Sequence, residues 1–155
     1  MKSCFFIGHR EASDELLPAL KSAIEQHIEE YGVTEFIVGG YGGFDRLATV
    51  ALIAAKQKHP EITLLRLTPY HPAERQVVLP ENFDGIYYPD GMEKVPRRLA
   101  ITRANRNVIE HVGYLIAYVQ HPGSNAYELV EYAGKRGIRI TKIKTDDRQD
   151  CGDPC

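Results

Sequence analysis

The sequence predicts an α/β domain of three layers, a Rossmann-like arrangement with a mainly parallel, twisted sheet and helices on both faces. Three observations predict it. Short apolar runs alternate along the chain with longer amphipathic stretches, the pattern of βαβ units. The runs are predominantly apolar, as strands buried on both faces are. The length, 155 residues, suits one core rather than separate cofactor and substrate modules.

Each element follows from its residues. Cys4-Phe5-Phe6-Ile7 reads as a buried strand, and Leu16, Leu17, Leu20, Ile24 and Ile28 recur at helical spacing between Asp14 and Tyr31, with Gly32 as a stop signal. Glu35 to Val38 is a second strand, ended by Gly39-Gly40-Tyr41-Gly42-Gly43. An Ala-rich helix over Asp45 to Lys58 is halted by His59-Pro60, and Ile62 to Leu67 is the third strand. Five prolines between 69 and 96 preclude a long helix there, although Ala73 to Val78 has room for a turn or two and Ile86-Tyr87-Tyr88 for a short strand. Pro96 to Glu110 reads as a helix and Tyr114 to Val119 as a strand. A loop over 121–125 then enters a helix bearing Leu129, Val130 and Ala133, which Gly137 ends before a last strand, Ile138 to Ile143. The folded domain is expected over 1–145. Residues 146–155, with four aspartates and no aliphatic side chain, read as a disordered acidic tail.

Composition narrows the function classes. With 19 Lys+Arg against 21 Asp+Glu the formal net charge is −2, so there is no global positive field to hold a polyanion non-specifically, and nucleic acid is a disfavoured partner. The apolar stretch before Gly8 is too short for a secretory core or a membrane span, so a cytoplasmic protein without a membrane partner is expected. Cys4, Cys151 and Cys155 form no disulfide framework, a single Cys-x-x-x-Cys pair does not compose a zinc site, and His27, His59, His71 and His111 have no ligand spacing. Neither a metal nor a cofactor is expected.

Three strand-to-helix loops carry the unusual chemistry, and in a parallel sheet such loops converge beyond the carboxyl ends of the strands. In Gly8-His9-Arg10, glycine permits close approach and Arg10 offers a planar cation for phosphate; a solvated surface turn is the alternative. Gly39, Gly40, Gly42 and Gly43 surround Tyr41 between a strand and a helix, a costly composition that favours close backbone approach to a ligand, and their amides face where an anion binds a helix N-terminus. Asp45, in the first turn of that helix, either stabilises the helix or holds ribose hydroxyls. Ser124 and Asn125, in the third loop, lead into the fourth helix, with Glu128 placed for a capping box or for a ligand. Arg103, Asn105 and Arg106 share helical spacing that can present guanidinium groups to a phosphate, whereas Arg97 and Arg98 read as a solvated face. The aromatics of Tyr70-His71-Pro72 and Tyr87-Tyr88 suit either base stacking or packing.

Taken together, Ile7-Gly8-His9-Arg10, Gly39 through Ala48, Arg103-Ala104-Asn105-Arg106-Asn107 before Tyr114, and Pro122-Gly123-Ser124-Asn125-Ala126-Tyr127-Glu128 resemble the SLOG superfamily, which takes in the Smf/DprA and Lonely Guy proteins. The resemblance covers about residues 3 to 143 and implies a Rossmann-like domain that binds nucleotides or their derivatives. It implies a site of Gly8, His9, Arg10, Gly39, Gly40, Gly42, Gly43, Asp45, Arg103, Asn105, Arg106, Gly123, Ser124 and Asn125, in a chain that pairs as a homodimer. The first expectation is binding or sensing of a nucleoside phosphate or ADP-ribose-like small molecule, with Arg10 and Arg106 neutralising phosphate and Asp45 holding ribose. A second is a nucleoside monophosphate phosphoribohydrolase in which Glu128, with Asp45, stabilises a ribosyl centre. The Lonely Guy loop P-G-G-x-G-T-x-x-E is not kept here, and Glu128 matches its glutamate only with a shortened loop. A third, weaker expectation is single-stranded DNA binding, in the manner of DprA proteins.

Overall fold

A computed structural model describes residues 2–144; the expected tail, with Cys151 and Cys155, lies outside them. Six strands form one sheet: β1 (Ser3–Gly8), β2 (Glu35–Val38), β3 (Thr63–Leu67), β4 (Gly85–Tyr87), β5 (Tyr114–Tyr118) and β6 (Arg139–Lys142). Their order is β4-β3-β2-β1-β5-β6 and every pairing is parallel, so the sheet is parallel throughout. The helices are α1 (Leu17–Glu29), α2 (Gly43–Lys58), α3 (Ala100–Ile109) and α4 (Asn125–Lys135). Among the described residues no helix is long and apolar enough to cross a membrane.

The period-two geometry of the strands divides one apolar sequence into two cores. Cys4 and Phe6 of β1, Phe36 and Val38 of β2, and Ile116 and Tyr118 of β5 pack with α1 and α2. Phe5 and Ile7, Ile37, and Leu115 and Ala117 point to the opposite face, against α3 and α4. Phe5, Phe6, Phe36 and Phe44 are all 1% exposed or less, and burying each stabilises the fold by about 1.5–3 kcal/mol. Cys4 is fully buried, and burial pushes its thiol well above the ordinary value, so it acts as a small apolar residue.

Local chemistry adjusts the boundaries. The first helical stretch opens as a 3₁₀ turn, Asp14–Leu16, capped by Ser13, because Pro18 sits at the start of α1 and removes an amide there. The helix expected from Pro96 begins as a 3₁₀ turn, Arg97–Leu99, before α3. Residues 73–78 form turns without a helix, so the crossover from β3 to β4 is irregular. His27 of α1 is fully buried. Its Nδ1 bonds the Ala23 carbonyl at 2.7 Å, and its Nε2 finds no partner among the described residues. Burial lowers its pKa, chiefly by desolvation, and it is a neutral core residue edge-on to Tyr31 and Tyr114.

Candidate functional site

The strand order reverses at β1. The chain runs from β1 through β2 and β3 to β4 on one side, then returns to place β5 on the other. The loops leaving β1 and β5 therefore part, and a crevice opens beyond their carboxyl ends, where ligands of such folds sit. The crevice holds a pocket of about 250 Å³. Gly8, His9 and Arg10 line it from the end of β1, Gly39, Tyr41 and Asp45 from the second loop, Asn105 from α3, and Ser124 and Asn125 from the start of α4. Eight of the candidate site residues thus meet at one rim, joined by Tyr41.

The glycine loop has a different task from the one its composition suggested. The amide of Gly43 donates to the Arg10 carbonyl at 2.6 Å, that of Phe44 to the His9 carbonyl at 3.3 Å, and that of Tyr41 to Oδ2 of Asp45 at 3.1 Å. The first amides of α2 are therefore satisfied by the loop after β1, and Gly43 is not free to hold an anion. A Cβ at Gly43 would lie 2.6 Å from the Arg10 carbonyl oxygen, and one at Gly42, whose φ is +105°, 2.9 Å from Arg10 Cα. Neither glycine lines the pocket. They let two loops press together. Gly8 serves the same end, since a Cβ there would lie 2.3 Å from the Phe44 ring.

Among the described residues, Asp45 is the single carboxylate lining the pocket. Burial raises its pKa to about 6, opposed by the Tyr41 amide and by the charge of Arg66. Arg66, in β3, donates to the Gly39 carbonyl and to the Thr49 hydroxyl, and burial lowers its pKa while Asp45 opposes that shift. A Cβ at Gly40 would sit 3.3 Å from the Arg66 guanidinium, so the loop leaves that side chain its space. Sequence reasoning missed Arg66. The available signal was an arginine inside an apolar strand, which needs a partner.

The amino terminus of α4 is open where that of α2 is closed. Ser124 caps α4 by accepting from the Tyr127 amide at 3.1 Å, while its hydroxyl donates to the His121 carbonyl. The amides of Asn125 and Ala126, at the first two helical positions, have no intrahelical acceptor, and both residues line the pocket. Across the crevice His9 accepts the Gln120 amide at Nε2, with its ring 4.7 Å from that of His121. Burial, and secondarily His121, lower the His9 pKa, so the ring is neutral near pH 7.

Other candidates fall outside. Arg106 points to the far side of α3, where its guanidinium stacks 4.0 Å from the centre of the Tyr132 ring, and Arg103 is exposed. Neither lines the pocket, nor does Gly123; Glu128 is exposed on α4 and is absent from the lining. Pocket residues the sequence did not single out are apolar or small: Leu67 at the end of β3, Pro69 beyond it, and Ile101, Thr102 and Ala104 on α3. Elsewhere, Glu25, Glu29 and His59 bring ligand atoms within 4.8 Å of one another. His59 Nε2 already bonds Glu25 at 2.9 Å and Lys58 lies 3.6 Å from it, so the group is a surface ion-pair cluster.

An open α/β domain with a pocket at its switch point is the class of protein that fold and site define. No protein-family model matches the sequence, and no curated protein matches it. Solved structures do. DNA processing protein A (DprA) from Streptococcus pneumoniae superposes with a TM-score of 0.68 at 15% identity, covering 100% of this chain and 54% of that one. DprA from Helicobacter pylori, in a structure titled for its unique single-stranded DNA binding mode, gives 0.62 at 16% identity, with 96% of this chain and 70% of that one covered. The chain shares the fold of these DprA structures. It spans little more than half the length of the first neighbour.

Proposed function

We propose that the pocket binds one nucleotide unit, with its phosphate at the amino terminus of α4, its sugar hydroxyls toward Asp45 and Arg10 as the accessible cation. The observation that carries this reading is the pair of uncapped amides, Asn125 and Ala126, opening onto a pocket that also holds Asp45 and Arg10. Two orphan N–H groups at the positive end of a helix dipole favour an anion, and a carboxylate suits adjacent hydroxyls. At about 250 Å³ the space lies just under the roughly 300–1,000 Å³ of typical ligand pockets, which fits a single nucleoside phosphate. Asp45 is the one carboxylate in the lining among the described residues, whereas glycoside cleavage uses two, and this supports binding over cleavage.

A second reading is that the unit belongs to single-stranded DNA. The fold shared with the H. pylori DprA supports it. The net charge of −2 weighs for the free nucleotide.

Calorimetric titration with AMP tests the proposal. Binding is expected, with AMP recovered intact, weakened about fivefold or more by Arg10→Ala and unchanged by Arg106→Gln. An oligodeoxynucleotide that binds far more tightly than AMP, with an affinity that falls steeply with salt, selects the second reading. Absence of binding by both overturns the proposal.

A further inference from the structure

A second, larger cleft of about 530 Å³ lies along the same sheet edge, beyond the ends of β3 and β4. Pro69 lines both it and the switch-point pocket, and Ala100 in its wall precedes Ile101 in the wall of the other. The two spaces are neighbours along one rim. The second is built differently: Tyr70, His71 and Tyr88 supply rings, and Arg97 and Glu74 form an ion pair between its two walls. His71 stands edge-on to Tyr88, with ring centres 5.4 Å apart. Arg97 lies 5.6 Å from the centre of the Tyr70 ring.

Resting on the nucleotide reading above, we infer that the second cleft takes the base of a second nucleotide, joined by a phosphodiester to the unit in the switch-point pocket. Aromatic side chains stack bases whatever their sequence. The carboxylates of Glu74 and Glu93 in the cleft disfavour another phosphate and accept hydrogen bonds from the exocyclic amino group of adenine, cytosine or guanine. The first pocket is too small for two units and the neighbouring cleft is about twice its volume, so the ligand is a dinucleoside phosphate, either free or as a segment of a strand.

The test compares AMP, the ribodinucleotide pApA, and an oligoadenylate strand about ten residues long by calorimetry on the full chain. The dinucleotide is expected to bind about tenfold or more tightly than AMP, the increment of one stacked base. Tyr88→Ala removes that gain and leaves AMP affinity unchanged. Arg97→Ala, on a largely exposed side chain, also reduces it. A strand that outbinds pApA identifies the source as single-stranded nucleic acid; equal affinity identifies a free dinucleotide. AMP binding with no gain for pApA, or a gain that both variants retain, overturns this inference and leaves the nucleotide reading standing. Failure of all three probes to bind overturns the nucleotide reading itself.

Discussion

The main-chain amide of Gln120 donates a 2.7 Å hydrogen bond to Nε2 of His9, tying the loop after β5 to the loop after β1 across the point where the sheet reverses direction. An accepting Nε2 puts the proton of the neutral ring on Nδ1. Protonation of His9 removes that acceptor and sets a cation beside His121, whose ring centre is 4.7 Å away.

This bond and the burial of His27 predict acid sensitivity. Both histidines have folded-state pKa values below the ordinary 6.5, chiefly through desolvation. The folded protein then binds fewer protons than the unfolded chain below that value, so stability is complete above about pH 6.5 and falls as pH drops through the window beneath it. Urea unfolding at about pH 7.5 and about pH 5 measures the loss. His27→Phe is expected to reduce the drop by removing a buried ring nitrogen that has no partner, and a drop unchanged in that variant contradicts the assignment.

Asp45 predicts the opposite slope. Its folded pKa of about 6 exceeds the ordinary aspartate value of 3.8, so the folded protein binds the extra proton between the two, and this group destabilises the fold as pH rises through that window. Asp45→Asn is expected to raise stability at about pH 7.5 by at most about 2–3 kcal/mol, with the gain vanishing below about pH 4. The same substitution weakens AMP binding, because a site residue held against its solvation preference trades stability for function. Thermal melts across pH read the first effect and calorimetry the second.

Gly8→Ala forces a methyl group to 2.3 Å from the Phe44 ring carbons and is expected to cost about 1–3 kcal/mol. Phe44→Leu in the same chain should recover part of that loss, as a double-mutant cycle of unfolding free energies reports. Additive losses contradict the contact.

The fold was legible because it rests on patterns that one sequence carries whole. Glu35 to Val38 matches β2 residue for residue, and the stretch from Asp45 to Lys58 misses only the first two residues of α2. The site was legible as a set of loops but not in its internal wiring. Four glycines around Tyr41 read as a loop that comes close to a ligand, and only the proximity of Arg10, distant in sequence, shows the close-packed junction at Gly42 and Gly43. Arg106 has the spacing of a phosphate ligand, yet its direction is set by Tyr132 on another helix. Arg66 was hidden because a single charge in a strand does not announce its partner.

The central claim is that an anionic nucleotide group meets the open amides at the start of α4. Backbone amide resonances followed by NMR during an AMP titration test it most directly. The account predicts saturable shifts largest at Asn125 and Ala126, smaller shifts around Asp45, and none at Arg106 or Glu128. Shifts confined to other surfaces, or a spectrum that AMP does not move, contradict it.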